Sequence, residues 1–249
     1  MLRIIQSQMR IKNTIVKDYK KSLSWEIFDK IYQRYDVINS ILSLGILRLW
    51  RNKLVHLFPV KDNMVALDCA TGTGEVMISV MNRHHNKIKS YTGVDLSKNM
   101  MVIGKERIQK FPYANKVSFT HASATDIPVD KASIDCVTMA FGIRNIVDYQ
   151  ACLRDIYRVL VPGGTVMIME FSLPKNIIIR WFYLLYFRWL LPLIGGLISG
   201  DKNAYTYLNK TVETFPYGNA FKKEMEQLGF NVSMTSLTFG IATLYIGRK

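Results

Sequence analysis

Leu67-Asp68-Cys69-Ala70-Thr71-Gly72-Thr73-Gly74-Glu75 decides how the rest of the chain is read. The apolar run from Met64 to Leu67 before it has the continuous hydrophobicity of a buried parallel strand, and Val76-Met77-Ile78-Ser79-Val80-Met81 after it opens a helix. Glycines at 72 and 74 let the backbone turn sharply with no Cβ in the way, so a ligand can lie against the main chain and meet the N–H groups of the helix N-terminus. Ser90-Tyr91-Thr92-Gly93-Val94 reads as a second strand. Asp95 stands at its end, where a nucleotide-binding layout places the carboxylate that takes two ribose hydroxyls. The stretch is thus a nucleotide-cofactor loop. The dinucleotide fingerprint G-x-G-x-x-G fails, because Met77 sits where its third glycine belongs, and this disfavours NAD.

Outward from the loop, strand candidates at 64–69, 90–95, 117–121, 134–140 and 164–170 alternate with helices at about 74–84, 98–110 and 148–160. Pro162-Gly163-Gly164 is expected to turn into the fifth strand. Such alternation predicts an α/β fold with a parallel sheet covered on both faces and ligands at the carboxyl ends of the strands. Two helices, Trp25 to Tyr35 and about Leu47 to Phe58, precede the first strand. A helix at about 219–228, stopped by Gly229, leads into closing strands Asn231 to Leu237 and Ile241 to Ile246. The reading is one domain over residues 1–249, with an N-terminal helical cap over about 1–60 and an apolar helical insertion over about 175–215.

The chain of 249 residues is 49% apolar and 21% charged, which suits a globular protein with a substantial core. Its net charge of +14 calls for an anionic partner: nucleic acid, an acidic lipid surface or an anionic substrate. More than half of that excess lies before residue 62. Cys69, Cys136 and Cys152 are widely spaced and read as reduced thiols of an intracellular protein. His56, His84, His85 and His121 show no ligand spacing, so no metal is expected. The first two dozen residues are basic but lack an uninterrupted apolar core of signal-peptide length. They are read as a solvated basic helix, with a mitochondrial presequence around Arg3, Arg10, Lys12 and Lys17 as the alternative.

Residues 177–198 are strongly apolar and aromatic. As one helix they would reach about 33 Å, enough to cross a bilayer. Arg180, Arg188 and Pro192 argue against crossing. Two readings stay open: a helix buried on the sheet, or one that lies at a membrane interface or lines an apolar pocket. Trp181, Tyr183, Tyr186 and Trp189 beside arginines suit an interface.

The pattern Asp68-x-Ala70-x-Gly72-x-Gly74 resembles the first motif of class I S-adenosylmethionine (SAM) methyltransferases, with Ala70 in place of the usual first glycine. Further stretches resemble the ubiquinone/menaquinone biosynthesis C-methyltransferase family. They are Tyr35-Asp36-Val37-Ile38-Asn39 with Ser43 and Trp50, then Phe141-Gly142-Ile143-Arg144-Asn145, then Arg158-Val159-Leu160-Val161-Pro162-Gly163-Gly164 ending in Glu170-Phe171-Ser172. Asp201, Tyr205, Tyr207, Leu208, Val212-Glu213 and Phe215-Pro216 continue the match, which runs from about residue 25 to the end. Ile38, Leu47 and Val161 depart from the family's usual Met, His and Lys, and Ser123 stands where the family often has Asn or Asp.

That resemblance implies a Rossmann-like class I methyltransferase with a largely parallel seven-stranded sheet and an antiparallel C-terminal strand. Its cofactor would be SAM, held by Asp68, Ala70, Thr71, Gly72, Gly74, Glu75, Asp95, Leu96, Met100, Ser123 and Ala124. Asp95 would take the ribose, Met100 would lie along the adenine, and Glu75 would face the amino group or merely favour the helix N-terminus. Its reaction would be C-methylation of a polyprenyl quinol, demethylmenaquinol and also the ubiquinol precursor. Arg144, Asn145, Tyr35, Asp36, Asp201 and Tyr205 are the catalytic candidates. Arginine stays charged and is a poor base, so Arg144 is assigned to steady a phenolate or to orient a water. The same resemblance implies a cytoplasmic enzyme, peripheral on an anionic membrane at the inner face of the cell, with the mitochondrial matrix as the alternative. A nucleic-acid methyltransferase is disfavoured, because the residues after the fourth strand do not form the Asn/Asp-Pro-Pro-aromatic element that base N-methylation uses. A methyltransferase for another lipophile and a SAM-binding protein without catalysis are the remaining alternatives.

Overall fold

The computed structural model describes residues 43, 45–190 and 211–249. Strand β1 (Met64–Cys69) is buried along nearly its whole length, because it is the middle of the sheet. Its neighbours are β2 (Ile88–Asp95) and β4 (Ile134–Ala140), both parallel to it. The others are β3 (Val117–His121), β5 (Leu160–Phe171), β6 (Asn231–Leu237) and β7 (Ala242–Arg248). The order is β3-β2-β1-β4-β5-β7-β6, with β7 antiparallel to both neighbours and every other pairing parallel. A sheet of this order reverses direction between β1 and β4, which opens a crevice at their carboxyl ends.

Successive β1 side chains point to opposite faces of the sheet and divide the core in two. Leu67 and Cys69 pack with helices α4 (Tyr149–Val159) and α6 (Asn219–Gln227) through Cys152, Leu153, Ile156, Phe221 and Met225. Met64 and Ala66 pack with α1 (Ile46–Leu57), α2 (Glu75–His84) and α3 (Lys98–Ile108) through Trp50, Leu54, Met77, Val80, Met81 and Ile108. Helix α4 shows why its sequence folds so. Asp148 caps it by accepting from the Ala151 N–H at 2.8 Å, and Cys152, Leu153, Ile156 and Val159 recur on one face.

Strands at 64–69, 117–121 and 134–140 lie where the sequence puts them, and α1 falls within a residue of its expected bounds. Pro162-Gly163-Gly164 does not precede the fifth strand but lies inside it. The strand begins at Leu160, Gly163 has φ 78°, and the pairing with β4 slips between Ile134 and Cys136. The slip is held by Lys249, which exchanges 2.9 Å hydrogen bonds with Gly163 and Gly164. The expected helix at Trp25 to Tyr35 and most of the N-terminal cap lie outside the described residues. The apolar insertion is described as α5 (Ile177–Leu185) and a π turn, Tyr186–Leu190; the remainder, from residue 191 to 210, lies outside the described residues. Among the described residues no helix is long and apolar enough to cross a membrane.

Two loops meet tightly at the crevice. A Cβ on Gly142, after β4, would lie 2.6 Å from the Cβ of Ala70, after β1, and Ala70 itself has φ 51°. Gly142→Ala should therefore lower stability by about 1–3 kcal/mol, and Ala70→Gly in the same chain should restore much of it. Urea denaturation of the four proteins checks this, and strictly additive changes would show that the two loops do not touch as described.

Candidate active site

The loop after β1 is built by hydroxyls and glycines rather than by apolar packing. The buried Asp68 carboxylate accepts hydrogen bonds from Thr71 Oγ1 at 2.7 Å and from Thr138 Oγ1 at 2.5 Å. Tyr91 Oη lies 2.6 Å behind, on the same Thr138 hydroxyl. Because Thr138 faces Asp68 across the β1–β4 pairing and Tyr91 comes from β2, one carboxylate draws three strands to the loop. Burial raises the carboxyl of Asp68 to a pKa of about 7, the hydroxyls of Thr138 and Thr71 offsetting only part of the desolvation.

Beyond the carboxylate, Gly72 (φ 53°) and Gly74 (φ 76°) carry the chain into α2. Gly74 stands at the N-cap of that helix and, having no side chain, supplies no cap hydrogen bond of its own, the arrangement in which a ligand can meet the first N–H groups. Gly72 donates its N–H to Asp95 Oδ2 at 2.7 Å, and Ser97 donates to Asp95 Oδ1 at 2.8 Å. Burial pushes the Asp95 carboxyl above its ordinary range, with these N–H groups opposing the shift. The close fit of the loop on β2 requires Gly93, where a Cβ would come within 2.8 Å of Thr71.

A cavity of about 820 Å³ opens over this loop. Of the cofactor residues expected from sequence, Asp68, Ala70, Thr71, Gly72, Glu75, Asp95, Leu96, Met100, Ser123 and Ala124 line it. Gly74 acts from behind as the helix cap. Ser123 Oγ lies 2.7 Å from Thr125 Oγ1 and accepts from the Thr125 N–H at 3.2 Å. Glu75 is held between Arg51 and Arg107, each at 2.9 Å. Its place at the α2 N-terminus and its facing the cavity are therefore both observed.

The catalytic candidates divide. Asn145 lines the cavity, whereas the Arg144 guanidinium is buried beneath it, paired at 2.8 Å with the buried Glu170. Arg144 also donates to the Phe141 carbonyl, and its backbone N–H to Glu170 Oε2 at 3.3 Å. Glu170 further accepts from the Phe171 N–H at 2.8 Å, and burial pushes its carboxyl upward against the pull of Arg144. Three buried polar atoms here have no hydrogen-bond partner among the described residues: Arg144 Nε, Asn145 Oδ1 and Tyr183 Oη. Tyr35, Asp36, Asp201 and Tyr205 lie outside the described residues.

Sequence reasoning missed Glu170 as the residue that holds Arg144, and it missed Arg48 and Arg51, which line the cavity from α1. Their spacing of three put both on one face of an expected helix, a usable signal. Tyr183, for which the sequence left core and interface both open, points inward: its ring lies 4.6 Å from Phe187, which in turn lies 6.0 Å from Phe171. The Phe171 ring lies 4.6 Å from the cavity-lining Phe141.

Comparison with known proteins gives this site a chemistry. The model of the ubiE/COQ5 methyltransferase family matches residues 14–249. A ubiquinone/menaquinone biosynthesis C-methyltransferase of Geotalea daltonii is 43% identical over 90% of this chain and 95% of its own. A demethylmenaquinone methyltransferase of Bacteroides fragilis is 37% identical over 93% and 95%. Among solved structures, a SAM-dependent methyltransferase from Thermotoga maritima superposes with a TM-score of 0.64 over 90% of this chain and 99% of its own at 17% identity, a likeness of fold. The cofactor is SAM, and the residues fit it. Uncharged N–H groups at the helix start would suit its carboxylate, Asp68 has no cationic partner among the described residues, and Asp95 at the end of β2 would take the ribose. With its loop, sheet order and cavity all in place and a family match across nearly its whole length, the chain belongs to the ubiE/COQ5 methyltransferase family.

Proposed function

We propose that the protein C-methylates the ring of a polyprenyl quinol, demethylmenaquinol first and the ubiquinol precursor as a second substrate. The observation that carries this reading is the continuity of one cavity from the glycine loop to an apolar wall of Leu47, Val76, Phe141, Ile146 and Val147, with Asn145 among them. The names of the relatives from Geotalea and Bacteroides support the same substrate class. SAM, when bound, supplies a methyl group already activated on a sulfonium. The chain therefore has to exclude water and to align the ring carbon. Loss of a phenolic proton makes the adjacent ring carbon nucleophilic, and a positive charge nearby favours that loss; once methylated, that carbon releases its own hydrogen to water as a proton and the ring regains aromaticity. In this reading Arg144, its charge shared with Glu170, acts from beneath the cavity, favouring the phenolate or orienting a water that takes the proton, and Asn145 Oδ1 accepts from the ring hydroxyl. Glu170 is a positioning residue that holds Arg144 and the Phe141–Asn145 turn. Tyr35, Asp36, Asp201 and Tyr205 are proposed members of the same polar set.

The protein is proposed to work at the cytoplasmic face of an anionic membrane, peripherally attached, the +14 charge supplying attraction to acidic headgroups. Incubation with methyl-labelled SAM and reduced demethylmenaquinol in detergent tests the substrate. Label should enter the quinol and not the oxidised quinone; label on neither, with SAM still bound, would remove quinol methylation.

Asp68 gives a pH signature. Its carboxyl is raised to about 7, so the ligand-free fold is stabilised at low pH and loses that contribution as pH rises through 7. A cationic ligand prefers the ionised carboxylate, so SAM affinity should move the other way, rising up to about tenfold per pH unit below 7 and levelling above. Titration calorimetry of the wild type and Asp68→Asn decides this, since the variant should bind more weakly and with a flat profile. Arg144→Lys replaces a planar fork by a point charge. It should keep SAM affinity within about twofold while lowering kcat at least about a hundredfold; an equal loss of both would deny Arg144 its place on the substrate side.

A further inference from the structure

Helix α5 has two faces of opposite kind. Tyr183 and Phe187 are buried, and they reach the cavity-lining Phe141 through Phe171. On the other side Ile177, Ile178, Trp181, Phe182, Leu185 and, past the π turn, Trp189 are between 46% and 78% exposed. At about 100° per residue the first five of these occupy one continuous arc of roughly 140°. Trp181 and Phe182 stack edge to face at 4.9 Å on that arc. The sheet cannot bury this face, because the opposite one is already packed on it.

A second element extends the patch. The turn between β6 and β7 holds Phe239 at φ 56° with 77% of its surface exposed. A Cβ on its neighbour Gly240 would lie 3.3 Å from Pro174 Cα and 3.9 Å from Lys175 N, which places the turn beside the start of α5. A bulky residue in the left-handed region is strained, and here the strain presents an aromatic ring to solvent rather than to the core.

The charges carried by the segment itself are of one sign, with one acid, Glu213, reaching in from outside it. From Phe171 to Gly200 the sequence has Lys175, Arg180 and Arg188 and not one Asp or Glu. Arg188 is paired with Glu213 at 2.8 Å, while Lys175 is exposed at the helix start. Exposed tryptophans, aliphatic residues on the same face and flanking cations are the composition of a helix lying in the plane of a bilayer surface.

We infer that the outer face of α5, together with Phe239, is the surface on which the protein docks to an anionic phospholipid bilayer, with α5 parallel to the membrane. Trp181 and Trp189 then sit at headgroup depth. The packed aromatic series Phe187, Phe171 and Phe141 lies between that surface and the cavity, so the docking face and the cavity are joined by apolar side chains. This assignment deepens the quinol reading and rests on it for its purpose, but vesicle binding can be measured without turnover.

The test is flotation of the full chain with vesicles of phosphatidylcholine alone and of phosphatidylcholine mixed with phosphatidylglycerol, alongside size-exclusion chromatography. The wild type should float with the mixed vesicles, less so with the neutral ones, and its tryptophan emission should shift to the blue. The triple variant Trp181→Ser, Phe182→Ser, Trp189→Ser should lose at least about a hundredfold in vesicle affinity, and Phe239→Ser severalfold. Both should keep wild-type SAM affinity and turnover of detergent-dispersed quinol. Flotation of the triple variant equal to wild type would overturn the assignment. So would a wild type that floats with neither vesicle, or a wild-type dimer that does not float and that the triple variant converts to monomer. If the wild type floats but labels no quinol, the docking surface stands and the substrate reading falls.

Discussion

A carboxylate buried without a cation is the constraint around which this molecule is arranged. Asp68 is the penultimate residue of the central strand, and no cation among the described residues lowers its carboxyl pKa. Hydroxyls stand in for a cation: Thr71 from the loop and Thr138 from the neighbouring strand donate to it, with Tyr91 behind Thr138. Neutral donors recover only part of the hydration energy a buried carboxylate loses, and for that reason its protonation state sits near neutrality. The same deficit makes the site receptive to a cationic ligand. The loop turns accordingly: Ala70, between Asp68 and Thr71, has positive φ, and Thr71 folds back onto the carboxylate.

A second buried carboxylate, Glu170 on β5, has the opposite arrangement. Arg144 meets it directly, and Glu170 also accepts two backbone N–H groups, from Arg144 and Phe171. A pair so buried adds little net stability, yet losing either partner leaves a charge stranded in the interior. Its effect is geometric: it fixes the turn after β4, and with it Phe141 and Asn145, against the end of β5. The two carboxylates thus divide the crevice, Asp68 shaping the cofactor side and Glu170 the side proposed for substrate.

Helix α1 completes the enclosure from the other layer. Trp50 donates to Thr238 Oγ1 at 2.8 Å and stacks near Phe141 and Phe171, at 6.0 and 6.2 Å. Arg51, one residue on, pairs with Glu75 at the start of α2. One helix therefore ties the glycine loop to the aromatic series behind the cavity. This explains why residues so distant in sequence act on one space.

The sequence by itself determined the alternation of strands and helices, the glycine loop, Asp95 at the end of β2 and the family resemblance, because these rest on local signals. Apolar runs, glycine turns and helix caps are legible within a few residues of one another. Strand bounds were legible to the residue for β1, β3 and β4, where a buried strand meets polar turns. Pro162-Gly163-Gly164 was misread as a turn, because only its pairing with Lys249 shows it to be an irregularity inside β5. Arg144 was placed on the correct loop, but its burial against Glu170 depends on a contact between residues 26 apart in sequence. Whether Trp181 and Tyr183 face in or out was likewise undecidable from composition, since both are amphipathic aromatics. The tertiary structure decided it by packing one side of α5 on Phe171 and leaving the other in solvent, and burial is a property of the whole fold rather than of any segment.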